Sequence, residues 1–274
     1  MNLLNLAARV CNEFSRSGLN EARTVLKIKD GQVRDVVTEL DEKLHLITAN
    51  FIKERLPECK LLSEESELTS AEALNLLAGE CLIVDPLDGS NNYALGMSNY
   101  GYMAAHLRGG FLAGAVIVLP EDNQYIVFES GQSLFSQPLP ESKQLRNAPV
   151  YYAYPPKFNI SERRTRSALI DLIDEKSAGL YRYGSACVGL YRLIRGEHMA
   201  FLGHSVRLWD VIAYLPLLVS QGFDVLYCSK GLSFTLLASK RSDFLEDAAK
   251  ILLEFQGMTL HKYSLNDSLR FDSL

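Results

Sequence analysis

Two aspartates three residues apart, Asp85 and Asp88, stand in Val84-Asp-Pro-Leu-Asp-Gly-Ser-Asn-Asn92, directly after the apolar run Cys81-Leu-Ile-Val84. A run of that kind reads as a strand buried on both faces, so both carboxylates emerge from its end. Pro86 restricts the backbone between them, and Gly89 permits a tight approach to a ligand. Asp88 is placed to cap a new helix whose first free N–H groups belong to Gly89, Ser90 and Asn91. Hard oxygen ligands beside an anion site are what a magnesium-bound phosphate requires. Taken alone, the segment reads rather as strand, turn and cap, because Asp, Pro and Gly are common turn formers. Its company reverses that.

Upstream, Ser63-Glu64-Glu65-Ser66 follows the apolar pair Leu61-Leu62; downstream, Trp209-Asp210-Val-Ile-Ala213 opens an apolar stretch. A lone acidic pair is solvated surface and a lone Asp before a helix is a cap, but three such features at element ends, in order, form a candidate metal centre. Ser63-Glu64-Glu65, Asp85-Pro-Leu-Asp-Gly-Ser90 and Trp209-Asp-Val-Ile-Ala213 resemble the signature motifs of the inositol monophosphatase superfamily. Asp35-Val-Val-Thr-Glu-Leu-Asp41 and Gly184-Ser185-Ala186 resemble two more of its segments, and the correspondence runs from about Lys27 to Phe223. The superfamily comprises magnesium-dependent, lithium-sensitive phosphomonoesterases with an α+β fold of alternating α-β-α-β-α layers.

By that resemblance, Glu64 and Asp85 with the Leu87 carbonyl would bind a first magnesium ion, and Asp85, Asp88 and Asp210 a second. Glu64 could share a third ion carrying the attacking water, which makes two or three Mg2+ per site. The chemistry agrees, since divalent ions offset the charge of a phosphate dianion and lower the pKa of water. Gly89 and Ser90 N–H groups would receive phosphate oxygens. The Ser90 hydroxyl takes the place of a usual threonine and would accept a hydrogen bond from the nucleophilic water, oriented by Asp41. Asp41 keeps a second reading, because Thr38-x-x-Asp41 resembles a capping box. Ser185, Ala186 and His204, with Asp88 and Asp210, would line the substrate pocket.

The resemblance departs at one informative position. Relatives acting on inositol phosphates carry a glutamate seven residues before the Trp-Asp aspartate; here that residue is Gly203, followed by His204. The Asp-Pro-Leu-Asp-Gly-Ser region looks closer to fructose-1,6-bisphosphatases, while Trp209-Asp210 and the chain length fit the monophosphatase branch. The expected activity is magnesium-dependent hydrolysis of a small polyol or sugar phosphate by direct water attack. The alternatives are a fructose-1,6-bisphosphatase, a 3′-phosphoadenosine 5′-phosphate phosphatase, or a phosphate sensor that keeps the fold without turnover. The family commonly forms homodimers, so one is expected.

The elements that must hold these residues are legible in outline. Leu3, Leu4, Ala7, Ala8, Val10, Cys11 and Phe14 recur at helical spacing before Gly18, and a second helix is expected over 41–56, stopped by Pro57. Lys27 to Asp35 reads as a short hairpin or mobile loop. After the strand at 81–84, strands at 100–107, 111–119 and 124–128 suggest an antiparallel meander. A strand at 150–154, helices at 161–173 and 187–195, a core helix at 209–219, strands near Val225 and Phe234, and a helix at 244–255 follow. The chain reads as one unit over 1–274, with a metal-motif half at 1–145 and an α/β half at 146–274 that supplies Asp210 and the substrate loop. His45, His106 and Tyr151-Tyr152-Ala-Tyr154 read as packing, and Arg163-Arg164-Thr-Arg166 as a solvated face.

Composition sets the limits. The 274 residues carry a net charge of −5, which disfavours a nucleic-acid partner. The longest apolar stretch, Val211 to Val219, spans nine residues and contains Pro216, far short of a membrane span. Met1 to Arg9 lacks a signal-peptide pattern, and five scattered cysteines point to a reducing compartment. A cytoplasmic enzyme acting on a small phosphorylated metabolite is expected.

Overall fold

The computed structural model describes residues 3–17, 23–28, 36–66, 68–140, 147–154 and 160–271. Helix α1 (Leu3–Ser17) buries Leu3, Leu6, Ala7, Val10 and Phe14 along one stripe. Strands β1 (Val25–Ile28) and β2 (Val36–Thr38) pair antiparallel; of the segment read as a hairpin or loop, 29–35 lies outside the described residues. Helix α2 (Glu39–Arg55) starts two residues earlier than expected because Thr38 caps it.

The first six-stranded sheet follows. Its strands are β3 (Lys60–Ser63), β4 (Glu80–Asp88), β5 (Gly101–Arg108), β6 (Phe111–Leu119), β7 (Gln124–Glu129) and β8 (Gln132–Phe135). Helix α3 (Ser70–Leu77) joins β3 to β4, and the short α4 (Ser90–Ala94) joins β4 to β5. The strands lie in sequence order, β3 parallel to β4 and every later pair antiparallel. The expected meander is β5 to β7, and β8 extends it.

The second sheet has the order β10-β9-β11-β13-β12-β14. It is built from β9 (Val150–Ala153), β10 (Leu180–Tyr181), β11 (Ala200–Arg207), β12 (Asp224–Lys230), β13 (Ser233–Ser239) and β14 (His261–Lys262). Helices α5 (Ile160–Lys176), α6 (Ala186–Ile194), α7 (Leu215–Ser220) and α8 (Ser242–Gln256) connect them. The two-residue period of each strand sorts its side chains into layers. Leu82, Val84, Tyr102 and Val116 pack beneath α1 and α2. Ile83, Met103, Ala115 and Ile117 face a central core shared with α6, α7 and Tyr151, Phe201 and Leu236 of the second sheet. Tyr152, Leu202 and Leu237 face α5 and α8. The result is the expected α-β-α-β-α stack.

One expected element is different. Residues 209–219 do not form a continuous helix; two 3₁₀ turns at Leu208–Asp210 and Ile212–Tyr214 precede α7. Pro216 is the reason: deep in a helix it would clash with the carbonyl four residues back, so α7 begins at Leu215 and places Pro216 in its first turn. No described helix is long and apolar enough to cross a membrane.

His198, at the turn between α6 and β11, is buried with its Nδ1 3.2 Å from the Gly189 carbonyl and Nε2 3.1 Å from the Tyr183 hydroxyl. A neutral ring satisfies both contacts, donating from Nδ1 and accepting at Nε2. Burial pushes its pKa down to about 4, against the Gly189 bond, which pulls it up. The unfolded chain therefore takes up a proton near pH 6.5 that the folded chain refuses until about pH 4. Its contribution is complete above that upper value and is lost as pH falls. The stability advantage of the wild type over His198→Gln should shrink between pH 7 and 4.5 in urea unfolding; a constant difference would contradict a buried neutral ring.

Candidate active site

The signature residues converge where three chain segments end together. Glu64 follows β3, and its N–H donates to the Val84 carbonyl at 3.1 Å, tying it to β4. Asp85, Leu87 and Asp88 occupy the end of β4, where the pairing with β5 slips between Asp85 and Asp88. Asp210 closes the 3₁₀ turn after β11 and accepts from the Arg207 N–H at 3.0 Å. Asp85 is 2% exposed, while Glu64, Asp88 and Asp210 are half-buried.

Gly89 makes the next turn. Its φ is +91°, and a Cβ there would stand 2.7 Å from the Asn99 carbonyl oxygen. Gly89, not Asp88, is the N-cap residue of α4, and it supplies no side-chain cap. The left-handed turn frees Asp88 to point elsewhere. Its Oδ2 accepts from the Ser185 hydroxyl at 2.6 Å and the Cys187 N–H at 2.5 Å. Asp88 thus sits on the N-terminus of α6, where backbone N–H groups and the helix dipole favour negative charge. Ser185 caps the same helix by accepting from the Val188 N–H at 3.2 Å.

Asp41 serves both readings at once. Its Oδ2 accepts from the Thr38 N–H at 2.7 Å and hydroxyl at 2.5 Å, closing the capping box of α2. Its Oδ1 meets the Ser90 hydroxyl at 2.7 Å, and that hydroxyl also lies 2.7 Å from the Leu87 carbonyl. Burial lifts the Asp41 pKa to about 6 against the pull of the Thr38 and Ser90 bonds.

The electrostatics are those of crowded like charges. Burial, then Glu64, Asp88, Asp210 and Asp41, push Asp85 well above the usual carboxylate range. Asp210 is likewise raised by burial, Asp88 and Glu64, with Arg207 opposing. Asp88 reaches about 7 through burial, despite the bonds from Ser185 and Cys187. Such a set of hard oxygens, mutually repelling and mostly bound by neutral donors, suits a divalent cation. Among the described residues, no three Asp, Glu, His or Cys side chains already stand close enough together to hold a metal ion.

Three expected substrate residues are placed differently. His204 alternates with Gly203 on β11 and turns toward α5 and α8, its Nδ1 3.3 Å from the hydroxyl of Tyr152, which packs in that layer. It is buried away from the carboxylates, so it leaves the set of substrate residues. The Ser185 hydroxyl is occupied by Asp88 and the helix cap, and Ala186 also offers its N–H to Asp88. Both position an acid. Residues that sequence reading passed over support the site: Asn92 donates at 2.7 Å to both the Asn99 and Tyr183 carbonyls, fixing the turn after α4 beside Gly184. The run Ser90-Asn-Asn92 was the available signal. Arg166 is not merely solvated, since its guanidinium lies over the Tyr154 ring.

Comparison with known proteins identifies the layered sheets, with acids gathered where three segments end, as a phosphoric monoester hydrolase. The chain belongs to the inositol monophosphatase family, whose model matches residues 3–254. The Rhizobium meliloti inositol-1-monophosphatase is 26% identical over 76% of this chain and 79% of its own. A Xylella fastidiosa protein, Nus factor SuhB, is 23% identical over 81% and 79%. A solved IMPase/NADP phosphatase complexed with Mg2+ and phosphate shares the fold, with a TM-score of 0.71 at 17% identity over 91% of this chain and 93% of that one.

Gly89→Ala should lose about 1–3 kcal/mol, from the left-handed backbone and the clash with Asn99. Urea unfolding measures it, and a loss under about 0.5 kcal/mol, the range of an ordinary surface change, would mean the turn tolerates a Cβ.

Proposed function

We propose that this chain releases inorganic phosphate from the phosphate ester of a small polyol or sugar, with magnesium held by Glu64, Asp85, Asp88, Asp210 and the Leu87 carbonyl. The observation that carries this reading is the mutual repulsion of four carboxylates around buried Asp85. When bound, magnesium would offset the phosphate charge and lower the pKa of water.

The chain's own groups do the rest. Ser90 Oγ keeps a lone pair to accept a hydrogen bond from the attacking water while its proton lies between Asp41 Oδ1 and the Leu87 carbonyl. The Asp41 carboxyl, at about 6, is mostly ionised near neutral pH yet close enough to take up a proton in passing. The capping box fixes its other oxygen, so that Oδ1 stays aimed at Ser90. As the water oxygen bonds to phosphorus, the bond from phosphorus to the ester oxygen breaks; one proton of the water is passed on and the departing alcohol takes up one, and no side chain becomes phosphorylated.

Gly203 bears on the leaving group. A Cβ at this position would stand 3.0 Å from the Phe201 ring and 3.3 Å from Val206 Cγ2, so apolar side chains close in at the position where relatives acting on inositol phosphates carry an acid. That favours a leaving group other than inositol. The family resemblance also supports a homodimer and a cytoplasmic setting.

A panel of inositol 1-phosphate, fructose 1,6-bisphosphate, phosphoadenosine phosphate and hexose phosphates, with and without magnesium and lithium, tests the reading. Magnesium-dependent release with one clear preference is expected. Asp88→Asn should reduce it at least a thousandfold with the circular dichroism spectrum unchanged. Near-wild-type turnover in that variant, or silence across the panel in a protein that binds magnesium, would overturn it.

A further inference from the structure

Asp88 is held by one short turn, and that turn is itself held from behind. The carbonyl of Ser185 accepts from the Tyr151 hydroxyl at 2.7 Å, and the carbonyl of Cys187 from the Tyr214 hydroxyl at 2.8 Å. The two carbonyls flank Ala186, on the very residues whose hydroxyl and N–H bind Asp88. The tyrosines come from different places, Tyr151 from β9 and Tyr214 from the second 3₁₀ turn after β11. Both are essentially inaccessible to solvent.

The packing around them leaves little play. A Cβ at Gly189 would stand 2.6 Å from the Tyr151 ring, and one at Gly101 2.8 Å from Cys187 Sγ. Two bare backbones therefore let the Tyr151 ring close on α6 and the Cys187 side chain close on β5. Tyr214 lies four residues after Asp210, in the 3₁₀ turn following the one Asp210 closes. Its hydroxyl joins the segment carrying one acid to the turn holding another, and it also meets Cys187 Sγ at 3.6 Å.

We propose that Tyr151 and Tyr214 are positioning residues, which fix the Ser185–Cys187 turn so that Asp88 stays in register with Asp210 for the metal and the ester. The proposal rests on the magnesium-dependent reading above. Neither tyrosine touches substrate in this account. Each acts through a carbonyl, and loss of its hydroxyl lets the turn relax and shifts the Asp88 carboxylate. Small displacements of a supporting shell are costly at metal and reaction centres.

The test compares Tyr151→Phe and Tyr214→Phe with Tyr102→Phe, whose lost hydroxyl bonds Thr48 beneath α2 rather than this turn. Magnesium is titrated calorimetrically into each metal-free protein, and kcat and KM are measured with p-nitrophenyl phosphate. The first two variants should bind magnesium at least fivefold more weakly and lose about tenfold in kcat, with KM within twofold. Tyr102→Phe should lose thermal stability alone. Wild-type magnesium affinity and kcat in both test variants would overturn the proposal, and one folded variant suffices to decide. Failure of both to fold beside an intact Tyr102→Phe would also overturn it, showing the hydroxyls to be structural. A wild type that binds no magnesium removes the underlying reading and the proposal with it.

Discussion

Negative charge gathered in a crevice that water only partly reaches is the constraint on which this structure depends. Asp85 is 2% exposed and feels Glu64, Asp88, Asp210 and Asp41, and neutral groups hydrogen-bond to Asp85, Asp88 and Asp210. The Leu87 N–H serves Asp85, the Ser185 hydroxyl and Cys187 N–H serve Asp88, and the Arg207 N–H serves Asp210. Arg207, which is exposed, opposes the rise of Asp210 with its positive charge. Left to themselves, such acids would move apart or take up protons. They stay because the elements carrying them are packed into apolar layers too close-fitted to yield.

The layers explain why these positions and no others carry the acids. β3 runs parallel to β4 and ends with Ser63 opposite Val84, bringing Glu64 beside Asp85. The slip between β4 and β5, followed by the left-handed Gly89, turns Asp88 away from its own sheet toward α6 in the central layer. β11 belongs to the other sheet, and the turn after it brings Asp210 back to the same crevice. The central core holds both sheets in one packed body, so the site is a seam between layers. Function and packing meet at the N-terminus of α6, where a helix end stabilises an acid and two tyrosines stabilise the helix end.

Much of this was legible in the residues because local rules and tertiary needs coincide. The apolar run before Asp85, the capping box at Thr38 and the alternating strands β5 to β7 are local signals, and each forms as its pattern predicts. What failed was non-local. Residues 209–219 are apolar throughout, and only Pro216, set against the need to end a turn at Asp210, breaks them into three pieces. β11 hides because Gly203, His204 and a left-handed Ser205 interrupt its alternation. His204 follows a motif position yet faces the far side, since a strand sends neighbouring residues to opposite faces. Tyr151 and Tyr214 look like ordinary core aromatics until the carbonyls they meet are known.

Thermal unfolding of the wild type and Asp85→Asn, each metal-free and then with magnesium, tests the central claim most directly. Removing the central charge relieves repulsion among the remaining acids, so metal-free Asp85→Asn should unfold a few degrees above the wild type. Magnesium should raise the wild type by several degrees and leave the variant nearly unmoved. A metal-free variant less stable than the wild type, or a wild type indifferent to magnesium, would contradict a carboxylate centre built for a divalent cation.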